Sequence, residues 1–215
     1  MSKLSVISEL LQEGDANEVV AKVKAAADDG IDAQTILNDG LMAGMDIIGE
    51  KFKNDELFIP EVLIAARAMN RGMEVLKPLL VSDVMEVKGK VILGTVQGDT
   101  HDIGKNMVSM FMSAKGLEVI DIGIDAPIEK FIETARQEKA GIIACSALLT
   151  TTMERMKELV KLVNDSDIRE NVKIMIGGAP VTENFCTKIG ADFYRADAAS
   201  AAETAIQILK EGGVS

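Results

Sequence analysis

The sequence predicts an α/β protein in which an N-terminal bundle of helices precedes a parallel sheet, and three observations carry that expectation. Residues 1–86 repeat their apolar positions at helical spacing and contain no convincing strand. From Lys90 onward short apolar runs alternate with amphipathic ones, five times in about 125 residues. Glycines and capping residues fall at the joints between these runs.

The first helix runs about 4–13 and stops at Gly14. Asp15, with Glu18 three residues on, starts a second over 16–29, which ends at Gly30. Asp32 caps a third, about 33–52, which carries Ile36, Leu37, Gly40, Leu41, Gly44, Ile47 and Ile48 on one face. After a polar turn, Lys53 to Glu56, the segment Leu57-Phe58-Ile59-Pro60 enters a fourth helix that reaches about Leu80, with Pro60 in its first turn. Met42, Met45, Met69 and Met73 add flexible apolar bulk to what reads as a four-helix bundle. Ser82 to Gly89 is charged and weakly periodic, and the domain boundary is placed there: a helical domain over 1–86 and an α/β domain over 87–215.

In the second domain the strands are Val91–Val96, Glu118–Ile122, Gly141–Cys145, Val172–Ile176 and Asp192–Tyr194. Helices are expected over 103–115, 127–139, 151–164, 182–188 and 198–211. Such units build a doubly wound, five-stranded parallel sheet of the flavodoxin-like, Rossmann-like kind, whose strand ends converge on one ligand-binding edge.

Composition narrows the function. With 215 residues and 47% hydrophobic content a core is easily built, while aromatics are 3% and tryptophan is absent, so that core is aliphatic. A net charge of −11 argues against a phosphate backbone as partner, so no nucleic acid is expected. No window approaches the roughly 20 apolar residues of a membrane span, nor does the start resemble a signal peptide; no membrane association and a cytoplasmic location are expected. Cys145 and Cys186 lack metal-ligand spacing and read as reduced core thiols.

The chemistry concentrates after the first strand, in Gly98-Asp99-Thr100-His101-Asp102-Ile103-Gly104-Lys105. His101 is the one histidine of the chain, and Asp99, two residues before it, can accept one ring N–H and leave the other nitrogen as a lone-pair donor. Gly98 and Gly104 would let a bulky planar ligand approach the backbone. Two further segments follow strands on the same edge: Ser146-Ala147-Leu148-Leu149-Thr150-Thr151-Thr152 and Gly177-Gly178-Ala179-Pro180. Capping of a helix by Thr151 or Thr152, and an ordinary tight turn at Gly177-Gly178, fit the pattern as well as a binding role does.

The octet resembles the Asp-x-His-x-x-Gly signature of cobalamin-binding modules, found in methionine synthase, in corrinoid proteins of methyltransferase systems and in carbon-skeleton mutases. Asp99, His101 and Gly104 match that signature, Ser146 and Leu148 match its Ser-x-Leu, and Gly177 and Gly178 match its Gly-Gly turn. Gly98, Thr100, Asp102, Ile103 and Thr150 lie within the same segments and join the implied corrinoid contacts. Thr152 falls where methionine synthase has a serine completing a His-Asp-Ser relay, and Phe58-Ile59-Pro60 resembles the Phe-Leu-Pro of the helical cap over its upper corrin face. The resemblance covers about 55–213 well and the first helices loosely.

That resemblance implies cobalamin bound base-off with His101 as its lower cobalt ligand, the nucleotide tail lying in a slot walled by Gly104, Ser146, Gly177 and Gly178. It implies a methyl carrier cycling between Co(I) and methyl-Co(III), with Phe58 shielding the methyl group and residues 82–89 as the hinge of a gating motion. No substrate barrel, zinc motif or pterin site is seen, so the partners implied are a substrate-specific methyltransferase, an acceptor-side methyltransferase using a thiol or tetrahydropterin, and a reductive activase. Three alternatives remain open on the sequence: a cobalamin subunit of an adenosylcobalamin-dependent mutase, which generally lacks such a helical cap; a cobalamin sensor, which usually brings a basic DNA-binding segment; and a flavodoxin-like protein without a corrin.

Overall fold

The computed structural model describes residues 2–80 and 88–211. The chain divides into two compact units, Met1–Glu86 and Val87–Ser215.

In the first unit α1 (Lys3–Glu13) is capped by Ser2 and ends where Gly14 turns to φ 76°. Helix α2 (Ala16–Asp28) begins at Asp15, whose carboxylate accepts the Glu18 amide at 3.0 Å. Asp32 caps the short α3 (Ala33–Thr35) in the same way. The single helix expected over 33–52 is interrupted: the chain is π-helical over Ile36–Met42 and returns to α geometry in α4 (Ala43–Lys53). The reason lies in the spacing of the buried residues. Ile36, Gly40, Gly44 and Ile48 are all buried and recur every fourth position, whereas an α-helix drifts by about 40° per four residues. A stretch of wider π turns takes up that drift. It keeps Gly40 and Gly44 against α1, where an added Cβ would stand 3.3 Å from Ile7 Cγ2 and 3.1 Å from Leu11 Cδ2.

Helix α5 (Ile59–Leu80) has Pro60 in its first turn, where a missing N–H breaks no intrahelical bond. It packs against α2, and Gly72 makes room there for Leu41 and Val19. The core of this unit is aliphatic, with Ile7, Leu11, Val19, Val23, Leu41 and Leu76 fully buried.

The second unit runs β1 (Lys90–Val96), α6 (Ile103–Ala114), β2 (Glu118–Ala126), α7 (Ile128–Glu138), β3 (Ile142–Ser146), α8 (Met153–Asn164), β4 (Lys173–Gly177), α9 (Glu183–Ile189), β5 (Phe193–Tyr194) and α10 (Ala198–Glu211). The five strands are parallel in the order β2-β1-β3-β4-β5. The chain therefore reverses its direction of travel between β1 and β3, and a crevice opens outside the carboxyl ends of those two strands. Six of the seven residues of β1 are buried, as a central strand covered on both faces requires.

One strand is longer than its apolar run suggests. β2 was expected to end at Ile122 and continues to Ala126, because it carries two extra residues against β1: Leu93 pairs with Asp121, Gly94 with Gly123 and Val96 with Ala126. Gly94 sits at the first shift, where a Cβ would meet Ile122 Cγ1 at 2.6 Å and Phe131 Cζ at 2.8 Å. Phe131, fully buried, packs α7 onto this part of the sheet. Truncation of Phe131 to alanine should lower the unfolding free energy of the second unit by about 3–5 kcal/mol, measured by urea unfolding with amide exchange in β1 and β3 as the local probe.

Candidate functional site

The loop between β1 and α6 is held from both ends. Thr95, fully buried on β1, donates its hydroxyl to the His101 carbonyl at 2.9 Å, and the Asp99 amide donates to the Val96 carbonyl at 3.1 Å. Gly98 takes φ 86°, the left-handed turn that a side chain would strain. The loop thus doubles back at the strand end, turning Asp99 inward and His101 outward.

Asp99 is a fully buried carboxylate that accepts five hydrogen bonds. Its Oδ1 receives the ring Nδ1 of His101 at 2.7 Å and the His101 amide at 3.1 Å. Its Oδ2 receives the amides of Leu148 at 2.7 Å and Leu149 at 3.2 Å and the hydroxyl of Thr152 at 2.9 Å. Burial alone would raise its pKa, but the bonds from His101, Leu148 and Thr152 together outweigh that and hold the carboxyl well below the usual carboxylate range. An ionised Asp99 fixes the tautomer of a neutral His101: Nδ1 carries the proton and Nε2 the lone pair. The His101 side chain is 49% exposed, so that lone pair faces outward from a rigid base.

Thr152 occupies the N-cap position of α8 yet makes no side-chain cap bond. Its hydroxyl lies between Asp99 Oδ2 and the Leu149 carbonyl, at 2.9 and 2.8 Å, and is buried. His101, Asp99 and Thr152 therefore form one hydrogen-bonded line linking the loops after β1 and β3. Ser146, half-buried, ends β3 in register between Thr95 and Gly177. Gly178, at φ 124°, has its own reason: a Cβ there would lie 1.9 Å from the Ala147 carbonyl oxygen, so the β4 turn presses backbone to backbone on the β3 loop. At Gly104 a Cβ would meet nothing within 4 Å, and the protein's own packing does not explain that glycine.

Thr100, Asp102 and Thr150 are exposed on these loops, as are the apolar Ile103 (62%), Leu148 (42%) and Leu149 (42%). Phe58 belongs to the first unit, 73% exposed, with its amide donating to Glu61 Oε2 at 2.7 Å. Cys145 is buried and its thiol is pushed up to about 12 by that burial, which leaves it unreactive. Pattern reading overlooked Thr95, the Leu149 amide, and Lys105, whose buried ammonium pairs with Asp121 and donates to Asn106 Oδ1 at 2.8 Å. A lysine immediately after Gly104 in an otherwise apolar-faced helix was the available signal for the last.

Comparison with known proteins gives the family. A family model described as a B12 binding domain matches residues 89–206, and a second model of the same description matches residues 5–77. Trimethylamine corrinoid protein 1 of Methanosarcina acetivorans is 45% identical over 181 residues, 83% of this chain and 82% of that protein. A corrinoid protein of Desulfitobacterium hafniense is 38% identical over 212 residues, 97% and 98% of the two chains. Among solved structures, the methanol:cobalamin methyltransferase complex MtaBC from Methanosarcina barkeri superposes with a TM-score of 0.82 at 32% identity, covering 95% of this chain and 78% of that one. A cobalamin-binding protein from Desulfitobacterium hafniense gives 0.79 at 34% identity, with 97% and 99% covered. The fold and these relatives agree, and the chain belongs to the family of B12-binding corrinoid proteins.

Proposed function

We propose that this chain is the methyl carrier of a methyltransferase system, holding a corrinoid base-off with Nε2 of His101 as the lower ligand of its cobalt. The observation that carries the reading is the half-exposed imidazole tied at 2.7 Å to a buried, ionised carboxylate. The residues present fit the group: one oriented imidazole, exposed apolar side chains at Ile103, Leu148 and Leu149 for a largely apolar ring, and unfilled space beside Gly104. Gly104, Ser146, Gly177 and Gly178 are the wall assigned to the nucleotide tail, and Gly98, Thr100, Asp102 and Thr150 are assigned to the remaining corrinoid contacts.

When bound, a corrinoid supplies a cobalt that takes up a methyl group in its reduced state and yields it to a nucleophilic acceptor. The chain's own part is orientation and proton holding. Asp99 accepts the hydrogen bond of Nδ1–H, so that this proton stays on Nδ1 and the Nε2 lone pair is aimed outward, where it would hold the cobalt. Thr152 holds the far oxygen of the carboxylate and so keeps Oδ1 free for His101. Residues 1–86 are assigned as the cap and 87–215 as the corrinoid-binding domain, a division supported by the two separate family matches. Phe58 is assigned to shield the methyl face. Of the hinge assigned to 82–89, residues 82–87 lie outside the described residues.

The partners proposed are a substrate-specific methyltransferase, an acceptor-side methyltransferase and a reductive activase. The first is supported by the neighbouring structure of a methanol:cobalamin methyltransferase complex, and relatives named for trimethylamine and dimethylamine favour a methylated amine as donor. A cytoplasmic location is proposed; among the described residues no helix is long and apolar enough to cross a membrane.

Three outcomes check this reading. Reconstituted with hydroxocobalamin, the wild-type chain should show a visible spectrum that changes with His101→Ala while corrinoid stays bound; an unchanged spectrum rejects His101 as ligand. Thr152→Val should destabilise the second unit by about 1–2 kcal/mol in urea, and Thr152→Ser should restore most of it. Because the Asp99 carboxyl lies below its ordinary value of 3.8, its contribution is complete above that pH and is lost as pH falls further. Asp99→Asn should therefore lower stability at pH 7 by about 1–3 kcal/mol and flatten the acid limb of a stability-versus-pH curve.

A further inference from the structure

Asp125 stands outside the motifs that match the corrinoid-protein signature, yet the geometry around it is unusual. It sits at φ 49°, in the left-handed region that side chains rarely adopt and that aspartate and asparagine tolerate best. The cause is the second extra residue of β2: between the pairs Gly94 with Gly123 and Val96 with Ala126, β2 has three steps where β1 has two. A bulge of this kind frees a backbone amide from the ladder and re-aims a side chain, and bulges collect beside functional sites. Here both effects are spent on one target. The Asp125 amide donates to the Asp99 carbonyl at 2.9 Å, and Asp125 Oδ1 accepts the Gly98 amide at 2.7 Å.

These two bonds clasp consecutive residues at the entry of the histidine loop. Gly98 is itself at φ 86°, and its amide is taken by the Asp125 carboxylate of β2 rather than by a backbone carbonyl. Without the clasp, the peptide carrying Asp99 would be anchored on one side by the hydrogen bond from its N–H to the Val96 carbonyl and on the other only through its own side chain. A rotation of that peptide would carry the carboxylate away from His101 Nδ1, because the two residues share one short loop.

We propose that Asp125 is a positioning residue for the lower-ligand histidine: through the β2 bulge it fixes the Gly98-Asp99 backbone, and thereby sets the direction of the Asp99 carboxylate and of Nε2. This rests on the reading of His101 as a cobalt ligand. Asp125 acts through the Gly98 and Asp99 backbone, the groups it bonds. Its demand is specific, since the position needs a side-chain acceptor and a residue tolerant of positive φ together. Asparagine satisfies both, glycine the second only, and alanine neither.

The test uses the full chain and three variants, Asp125→Asn, Asp125→Gly and Asp125→Ala, with His101→Ala as the control. In the apo protein, NMR measures hydrogen exchange of the Gly98 amide and the Nδ1–H signal of His101. After reconstitution with hydroxocobalamin and one-electron reduction, electron paramagnetic resonance of Co(II) reads nitrogen superhyperfine coupling from the lower ligand. Asp125→Gly and Asp125→Ala should speed Gly98 exchange about tenfold and cut the nitrogen-coupled fraction severalfold with corrinoid still bound, while Asp125→Asn stays near wild type. Glycine relieves the backbone strain, so its failure cannot be assigned to unfolding. If Asp125→Gly keeps wild-type Gly98 protection and full nitrogen coupling while His101→Ala loses that coupling, the role of Asp125 is overturned and the ligand reading stands. If His101→Ala itself leaves the coupling unchanged, the ligand reading fails and the proposal fails with it.

Discussion

The second unit depends on one buried negative charge. Removing a carboxylate from water is expensive unless each lone pair finds a donor, and Asp99 solves this by drawing donors from two loops that are distant in sequence. The loop after β1 contributes the amide and ring of His101; the loop after β3 contributes two amides and the Thr152 hydroxyl. Neither loop can leave without stranding the charge. The requirement to satisfy Asp99 therefore closes the crevice edge of the sheet into a defined shape, and the exposed imidazole inherits that rigidity.

The sheet order makes this meeting available. β1 lies between β2 and β3, so the loops that leave β1 and β3 are neighbours at the carboxyl edge and their helices depart to opposite faces. Backbone must approach backbone closely there, and Gly178 against the Ala147 carbonyl shows how little room remains. On the other flank β2 reaches the same edge by carrying two extra residues, which converts a plain ladder into a support for the histidine loop. Lys105 braces the start of α6 through Asp121 on β2, so the loop is held from three strands.

The first unit obeys a different constraint. Its buried positions recur every fourth residue through Ile36, Gly40, Gly44 and Ile48, and small residues bring α1 close to that face. The backbone yields to the pattern by widening into π turns, an instance of tertiary packing overriding local helical preference.

The residues alone determined much. Periodicity of two kinds separated a helical part from a strand-helix alternation, and turn residues such as Gly14, Asp15 and Asp32 located the joints, because these signals depend only on neighbours along the chain. The lone histidine, two residues after an aspartate and beside glycines, marked the site for the same reason. Tertiary structure decided what adjacency in sequence cannot express. The π stretch, the extension of β2 by two bulges, the burial of Lys105, and the choice of Thr152 to bond Asp99 rather than cap its own helix all depend on which strands lie side by side. A hydrogen bond across 53 residues of chain, such as Thr152 to Asp99, has no local signature, since its donor and acceptor are brought together only by the register of the sheet.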